Sequence, residues 1–251
     1  MRWIIAVMFL LSPAAQAEDE AHLIAFTEGR YEDAAILAQT TPSPDRQAFA
    51  ARSLLAEAMS SPDFSPSPDL IVQAEALARA AVATDPAHVE GRLQLAIALS
   101  LKARPLSTRE ARRAGYGEDA RDLAEAVLQD DPDNHYAHGF LAVWHLEVRR
   151  RGGAIGASIL GASVKKGRTH YQSATAMAPD DASIHWQYAR ALAALNARKY
   201  REEISAALVA ALDCDTDSTL EAVMRDRART LRSALQTEKR STTQRLAGEM
   251  L

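Results

Sequence analysis

The sequence predicts an all-α chain of stacked helical hairpins, and three observations carry that expectation. Alanine, the best helix former and a poor strand former, supplies 51 of the 251 residues. Three segments, 74–88, 120–134 and 167–181, repeat one pattern, an amphipathic helix ending in an acidic or polar turn around a proline. After each of Pro86, Pro132 and Pro179 a second helix is expected, over 89–99, 135–146 and 182–196, with Ala96, Ala142 and Ala189 in step with the prolines.

Composition narrows the class further. One cysteine excludes a disulfide framework and any cysteine-based zinc or iron–sulfur site. A hydrophobic fraction of 47% with a net charge of only -4 excludes a disordered chain.

In chain order, Arg2 and the apolar run Trp3–Leu11, then Ser12-Pro13 and the small-x-small pattern Ala15-Gln16-Ala17, read as a signal peptide over 1–17. The alternative is a short membrane anchor. Nine helical residues reach only about 13 Å, against a hydrocarbon core of about 30 Å. Cleavage after Ala17 would leave a mature chain from Glu18, exported to a bacterial periplasm. A lone Cys214 suits that oxidising space only if it is buried. The helical domain is expected over 18–236, interrupted by a Pro/Ser-rich loop at 60–69. Ser218 and Glu221 make a capping box ahead of Leu220, Val223, Met224, Leu231 and Leu235, predicting a terminal helix that closes the array. The remainder, 237–251, is polar and expected to be a fraying tail.

These features resemble the tetratricopeptide repeat (TPR). Its small eighth position matches Ala96, Ala142 and Ala189, and its twentieth matches Ala74 and Ala120. The twenty-seventh matches Ala81, Val127 and Ala174, and the thirty-second Pro86, Pro132 and Pro179. Gly29-Arg30-Tyr31-Glu32-Asp33-Ala34 is similar to the start of a second repeat helix. Lys199-Tyr200-Arg201-Glu202-Glu203 is similar too, with Glu203 where alanine is expected. The resemblance implies a right-handed α-solenoid and a role in protein–protein interaction. The prolines, however, lie 46 and 47 residues apart rather than about 34. The extra residues form two intra-repeat insertions, at 100–116 and 146–168, a layout that resembles the regulator-of-microtubule-dynamics family.

The insertions carry the charge asymmetry. They hold +4 and +5 in a chain of -4, leaving -13 elsewhere. Leaving equivalent places in successive repeats, they should be neighbours, so Lys102, Arg104, Arg112, Arg113, Arg149, Arg150, Arg151, Lys165 and Lys166 are candidates for one patch attracting an anionic partner. The alternative is a solvated face or internal pairing. Between those cations, the apolar segment 152–164 is expected either to rest on a membrane surface or to fill the protein's own groove.

The resemblance places the groove on the first helices of each repeat. Glu90, Leu93, Ile97, Ser100, Tyr136, Gly139, Val143, Leu146, Ser183, Trp186, Arg190 and Ala193 should line it. Candidate ligand contacts are Leu93, Ile97, Tyr136, Gly139, Val143, Trp186 and Arg190.

No phosphate loop, nucleophile elbow or H-E-x-x-H motif is present, so no catalytic residue is predicted. His135, His138 and His145 form the only histidine cluster, but His145 sits at a position usually packed in the core, and no metal is expected. Neither a cofactor nor nucleic acid is expected. The leading expectation is a non-enzymatic, exported scaffold that binds a protein partner at the cell envelope. The second is binding or carriage of an anionic lipid, with acyl chains in the groove and phosphate on the basic patch.

Overall fold

A computed structural model describes residues 13–215 and 218–250, with side chains from Glu20 onward. Its described residues form thirteen helices and no strand. They are α1 (Pro13–Thr27), α2 (Tyr31–Ala38), α3 (Pro44–Ser60), α4 (Pro68–Thr84), α5 (Val89–Ala103), α6 (Thr108–Ala114) and α7 (Tyr116–Asp130). There follow α8 (His135–Ile159), α9 (Val164–Met177), α10 (Ala182–Asn196), α11 (Arg201–Asp213), α12 (Thr219–Thr237) and α13 (Arg240–Glu249). Residues 1–12, the first part of the expected signal peptide, lie outside the described residues.

Local chemistry starts and stops these helices where the pattern requires. Pro44 and Pro68 open α3 and α4, where a missing N–H costs nothing. Each proline turn is followed by a side-chain cap. His88 Nδ1 accepts from Gly91 N, Asn134 Oδ1 from Ala137 N, and Asp181 Oδ1 from Ser183 N and Ile184 N. Ser218 and Glu221 form the expected capping box, and Ser107 and Glu110 form another at α6. Gly115, at φ 73, turns the chain from α6 into α7.

Successive helices pack in chain order, with α6 a short excursion between α5 and α7. A second series of contacts runs α3 on α5, α5 on α8, α8 on α10 and α10 on α12. The small residues lie at these seams. Ala74, Ala81, Ala96, Ala120, Ala174 and Ala189 are fully buried. Gly167 takes the place corresponding to Ala74 and Ala120. A Cβ there would sit 3.0 Å from the Ala142 carbonyl oxygen, so glycine lets α9 approach α8. Glu203, where alanine was expected, is gripped by two hydrogen bonds from Arg168 at 2.9 and 2.8 Å and by the Tyr188 hydroxyl. That explains the departure and commits one insertion cation to the fold.

Two expectations need correction. The polar tail over 237–251 is helix α13 in its described part, packed on α10. Thr243, Ala247 and Met250, at spacings of four and three, are buried. Trp186 does not face the groove; it is fully buried in the core shared by α8, α10, α11 and α12. On α10 the edge that faces the cavity runs through Ser183, Ile184, Gln187 and Arg190 instead. The helix is thus rotated so that its largest apolar side chain lies dry.

Candidate functional site

A cavity of about 730 Å³ lies between α3, α5, α8, α10 and α12. On α5 the side chains facing it, Glu90, Leu93, Gln94, Ile97, Leu101 and Arg104, recur at three- and four-residue spacing along one helix face. On α8 the same stripe runs from Tyr136 through Gly139, Phe140, Val143 and Glu147 to Arg151. Met59 of α3 and Leu220 and Met224 of α12 supply apolar wall from across the space. Of the predicted groove residues, Leu93, Ile97, Tyr136, Gly139, Val143 and Arg190 line the cavity, as do Glu90, Ser100 and Ser183. Trp186, Leu146 and Ala193 do not. Leu146 and Ala193 are core residues.

Phe140, Trp144, Val148, Ile184 and Gln187 also face the cavity and were not anticipated. Those on α8 continue the stripe that contains Tyr136 and Val143, so a straight helical period was the signal that could have found them. Nothing local pointed to Met59 or Met224, which arrive from other helices.

The C-terminal helices shut one side. Arg227 of α12 donates to the Met59 and Ser61 carbonyls at 2.6 and 2.8 Å. Arg104, at the end of α5, donates to the Gly248, Glu249 and Met250 carbonyls at the end of α13, at 3.0 to 3.3 Å. Arg190 reaches the Ala247 carbonyl at 3.4 Å and Glu147 at 3.1 Å.

Charge divides along the cavity. Near the N-termini of α5, α10 and α12 stand Glu90, Asp181 and Glu221, with Arg52 at 3.5 Å from Glu90 and stacked over Phe26 and Phe49. Burial, then Asp181, raise the Tyr136 hydroxyl pKa above its usual value. At the opposite end Arg104, Arg150, Arg151 and Arg190 surround Glu147. Burial, then Arg190, pull Arg104 down to about 9, with Arg150 and Arg151 adding to the fall. Burial pushes the Glu147 carboxyl up, and Arg190, Arg150 and Arg104 more than reverse it.

The structure divides the predicted basic patch. Lys102 pairs with Glu75 and lies over the Tyr116 ring. Arg150 pairs with Glu147 at 2.7 Å. Arg151 donates to the Ala103 and Leu106 carbonyls, and Lys166 to the Gly161 carbonyl at 2.9 Å. Arg112 lines the mouth of the cavity. Arg112, Arg113 and Lys165 are exposed, and they and half-buried Arg149 carry no ion pair among the described residues. The insertions do meet, since Thr108 Oγ1 donates to the Arg151 carbonyl at 3.4 Å.

Among the described residues no helix is long and apolar enough to span a membrane, and the segment 152–164 borders the cavity through Gly152, Ile155, Gly156, Ile159 and Leu160. It forms part of the rim, with Ala157 and Ala162 buried against Trp144.

The histidines regroup as His138, His145 and His170, with His138 Nδ1 2.8 Å from His170 Nδ1 and His145 stacked on His170 at 5.5 Å. His135 contacts Tyr136 instead. Among the described residues no group of three or more His, Cys, Asp or Glu is placed to hold a metal ion. Burial, then the neighbouring His and Lys166, hold both His145 and His170 down to about 4. Both rings are therefore neutral in the folded chain at pH 7. Above their ordinary value of 6.5 they cost nothing. As pH falls from there towards 4 the unfolded chain takes up protons that the folded one refuses, so stability drops. Urea midpoints at pH 7.5, 5.5 and 4.5 should record a loss of order 1–2 kcal/mol from this source after solvent screening, smaller in His145→Leu. Cys214 is buried at the end of α11, and burial, then Asp180, raise its thiol pKa.

Compared with known proteins, the chain matches no family model and no curated relative.

Proposed function

We propose that this chain is a TPR-like helical-repeat binding protein, its hairpins stacked as a solenoid, that holds an elongated amphiphile with an anionic head in the space between α5, α8 and α10. The carrying observation is the cavity itself, about 730 Å³ and walled mainly by Leu93, Ile97, Phe140, Val143, Ile184 and Met224. That volume lies within the roughly 300–1,000 Å³ of small-molecule sites, whose walls are mostly apolar with a few placed polar groups. The stripes of α5 and α8 that wall it each run about 20 Å, which suits a single acyl chain. The head would sit at the arginine end, where Arg112 has no ion pair among the described residues and lines the mouth.

The protein–protein scaffold reading has the repeat resemblance behind it. It fits less well with α12 and α13, which cover part of the face that such a partner would use. The N-terminal pattern of Arg2, Trp3–Leu11 and Ala15–Ala17 supports export to a bacterial periplasm. A mature N-terminus far from Glu18 would refute that compartment.

The ligand test uses a fluorescent C16 fatty acid titrated against purified protein in vesicle-free buffer, with solvent extraction and mass spectrometry of the native preparation. Saturable binding is expected. Ile97→Trp and Val143→Trp, which fill the space from two different helices, should each weaken it at least about tenfold, or 1.4 kcal/mol. Circular dichroism checks that both still fold. Unsaturable binding, or binding unmoved by both tryptophans, would sink the reading.

A further inference from the structure

Gly153 breaks α8 at φ 63 and ψ -157, a conformation closed to other residues, and re-aims the chain over the cavity mouth. The helical turn that follows has two faces. Ala157, with Ala162 beyond it, packs on Trp144, whose Nε1 donates to the Gly117 carbonyl at 2.7 Å. The opposite face presents Ile155 and Ile159, 78% and 59% exposed, four residues apart. Two large apolar side chains left in water side by side are unusual away from a binding surface. Both also line the cavity mouth, so its apolar wall continues outward onto the surface.

The other side of the mouth is α6, fixed to this segment by the Thr108 and Arg151 hydrogen bonds. It carries exposed Arg109, Arg112 and Arg113. Its only acid, Glu110, is committed to the Ser107 capping box. Lys165 and Lys166 are exposed just beyond the isoleucine segment. At the start of α7 Glu118 lines the cavity and Asp119 is exposed, so five cations of the rim face two acids; the next acid along, Asp122, is held by Arg121, whose guanidinium also reaches the Leu160 carbonyl at 3.4 Å. An apolar pair ringed by cations is the arrangement that binds a bilayer carrying anionic lipid: apolar side chains enter the headgroup boundary while Arg and Lys meet the phosphates.

We propose that this rim, Ile155 and Ile159 with Arg109, Arg112, Arg113, Lys165 and Lys166, docks the protein on an anionic phospholipid bilayer with the cavity mouth facing the lipid. The docking gives the acyl-chain reading its route of entry and rests on that reading for its purpose, though it is measured separately. A protein partner would leave the apolar pair sealed by side chains; a bilayer leaves the mouth continuous with the hydrocarbon that the cavity resembles.

The experiment is flotation of the full chain with vesicles of phosphatidylcholine containing phosphatidylglycerol, and with pure phosphatidylcholine vesicles, at low and high salt. Binding is expected to the anionic vesicles, weakening at least about tenfold at high salt and absent on the neutral ones. Ile155→Ser with Ile159→Ser should abolish it, as should Arg109→Glu with Arg113→Glu. The second pair lies outside the cavity wall and should retain C16 fatty-acid uptake in vesicle-free buffer. The apolar run Trp3–Leu11 is common to all variants, so differences between them read the rim. Binding equal in parent and both variants, or none by the parent, overturns the docking surface. So does a dimer in solution that the isoleucine variant alone dissolves, which would make the cover a second copy. If vesicle binding behaves as expected while fatty-acid uptake fails, only the ligand reading falls.

Discussion

Trp186→Ala should lower the stability of the fold by about 3–5 kcal/mol while leaving C16 fatty-acid binding unchanged in the folded fraction. The indole is fully buried beside Ala142, Leu146, Leu192 and Leu208, at the junction of α8, α10 and α11. Truncation removes its apolar contact and leaves a hole among packed helices, so the cavity penalty adds to the transfer term. For a chain of this size each kcal/mol moves the melting temperature by roughly 2–4 °C, so a fall of about 6–20 °C is expected by calorimetry. The TPR register instead predicts a wall residue, whose loss would reduce ligand affinity and barely touch the melting point. The two readouts thus separate a core tryptophan from a binding one.

That reversal shows what was legible in the sequence. Proline turns, side-chain caps and stripes are local, so helices such as Ala182–Asn196 were visible to the residue. The repeat register also placed Leu93, Ile97, Tyr136 and Val143 on one surface, along stripes of about four turns each on α5 and α8. The rotation of α10 about its axis is not local. It is set by what Trp186 gains among α8, α11 and α12, and nothing within 182–196 encodes those neighbours. Charge was misleading for a related reason. Summed along the chain, Lys102, Arg104, Arg150, Arg151 and Arg168 look like one free patch. Each instead meets a carboxylate or a helix-end carbonyl, several far away in sequence. Helix α13 escaped notice because its buried stripe has three residues, Thr243, Ala247 and Met250, in an otherwise polar segment.

The arginine end of the cavity sets up the second large effect. Glu147→Gln should destabilise the fold by roughly 3 kcal/mol, the low end of the range for breaking a buried ion pair from one side, because the Glu147 side chain is 22% exposed to the cavity. Glu147 accepts from Arg190 at 3.1 Å and from Arg150 at 2.8 Å, and its charge also acts on Arg104. Glutamine keeps the size and one acceptor oxygen but removes the carboxylate that, among the described residues, is the only one to meet Arg150 and Arg190. The helix-end carbonyls that remain, on α5 and α13, amount to partial negative charges only. The variant's excess positive charge is then a test of the site as well as of the fold. Sulfate or phosphate should raise the melting temperature of Glu147→Gln more than that of the parent, because an anion at this end replaces the missing carboxylate. A matched series in chloride at equal ionic strength controls for screening. The acid limb follows from the same carboxyl. Folding holds the Glu147 carboxyl below its ordinary value of 4.5, so the stability it contributes is complete above that pH and is lost as pH falls through the lower, folded value. Glu147→Gln should remove that part of the acid sensitivity, and an unchanged acid limb would show that the arginines are neutralised by some other group.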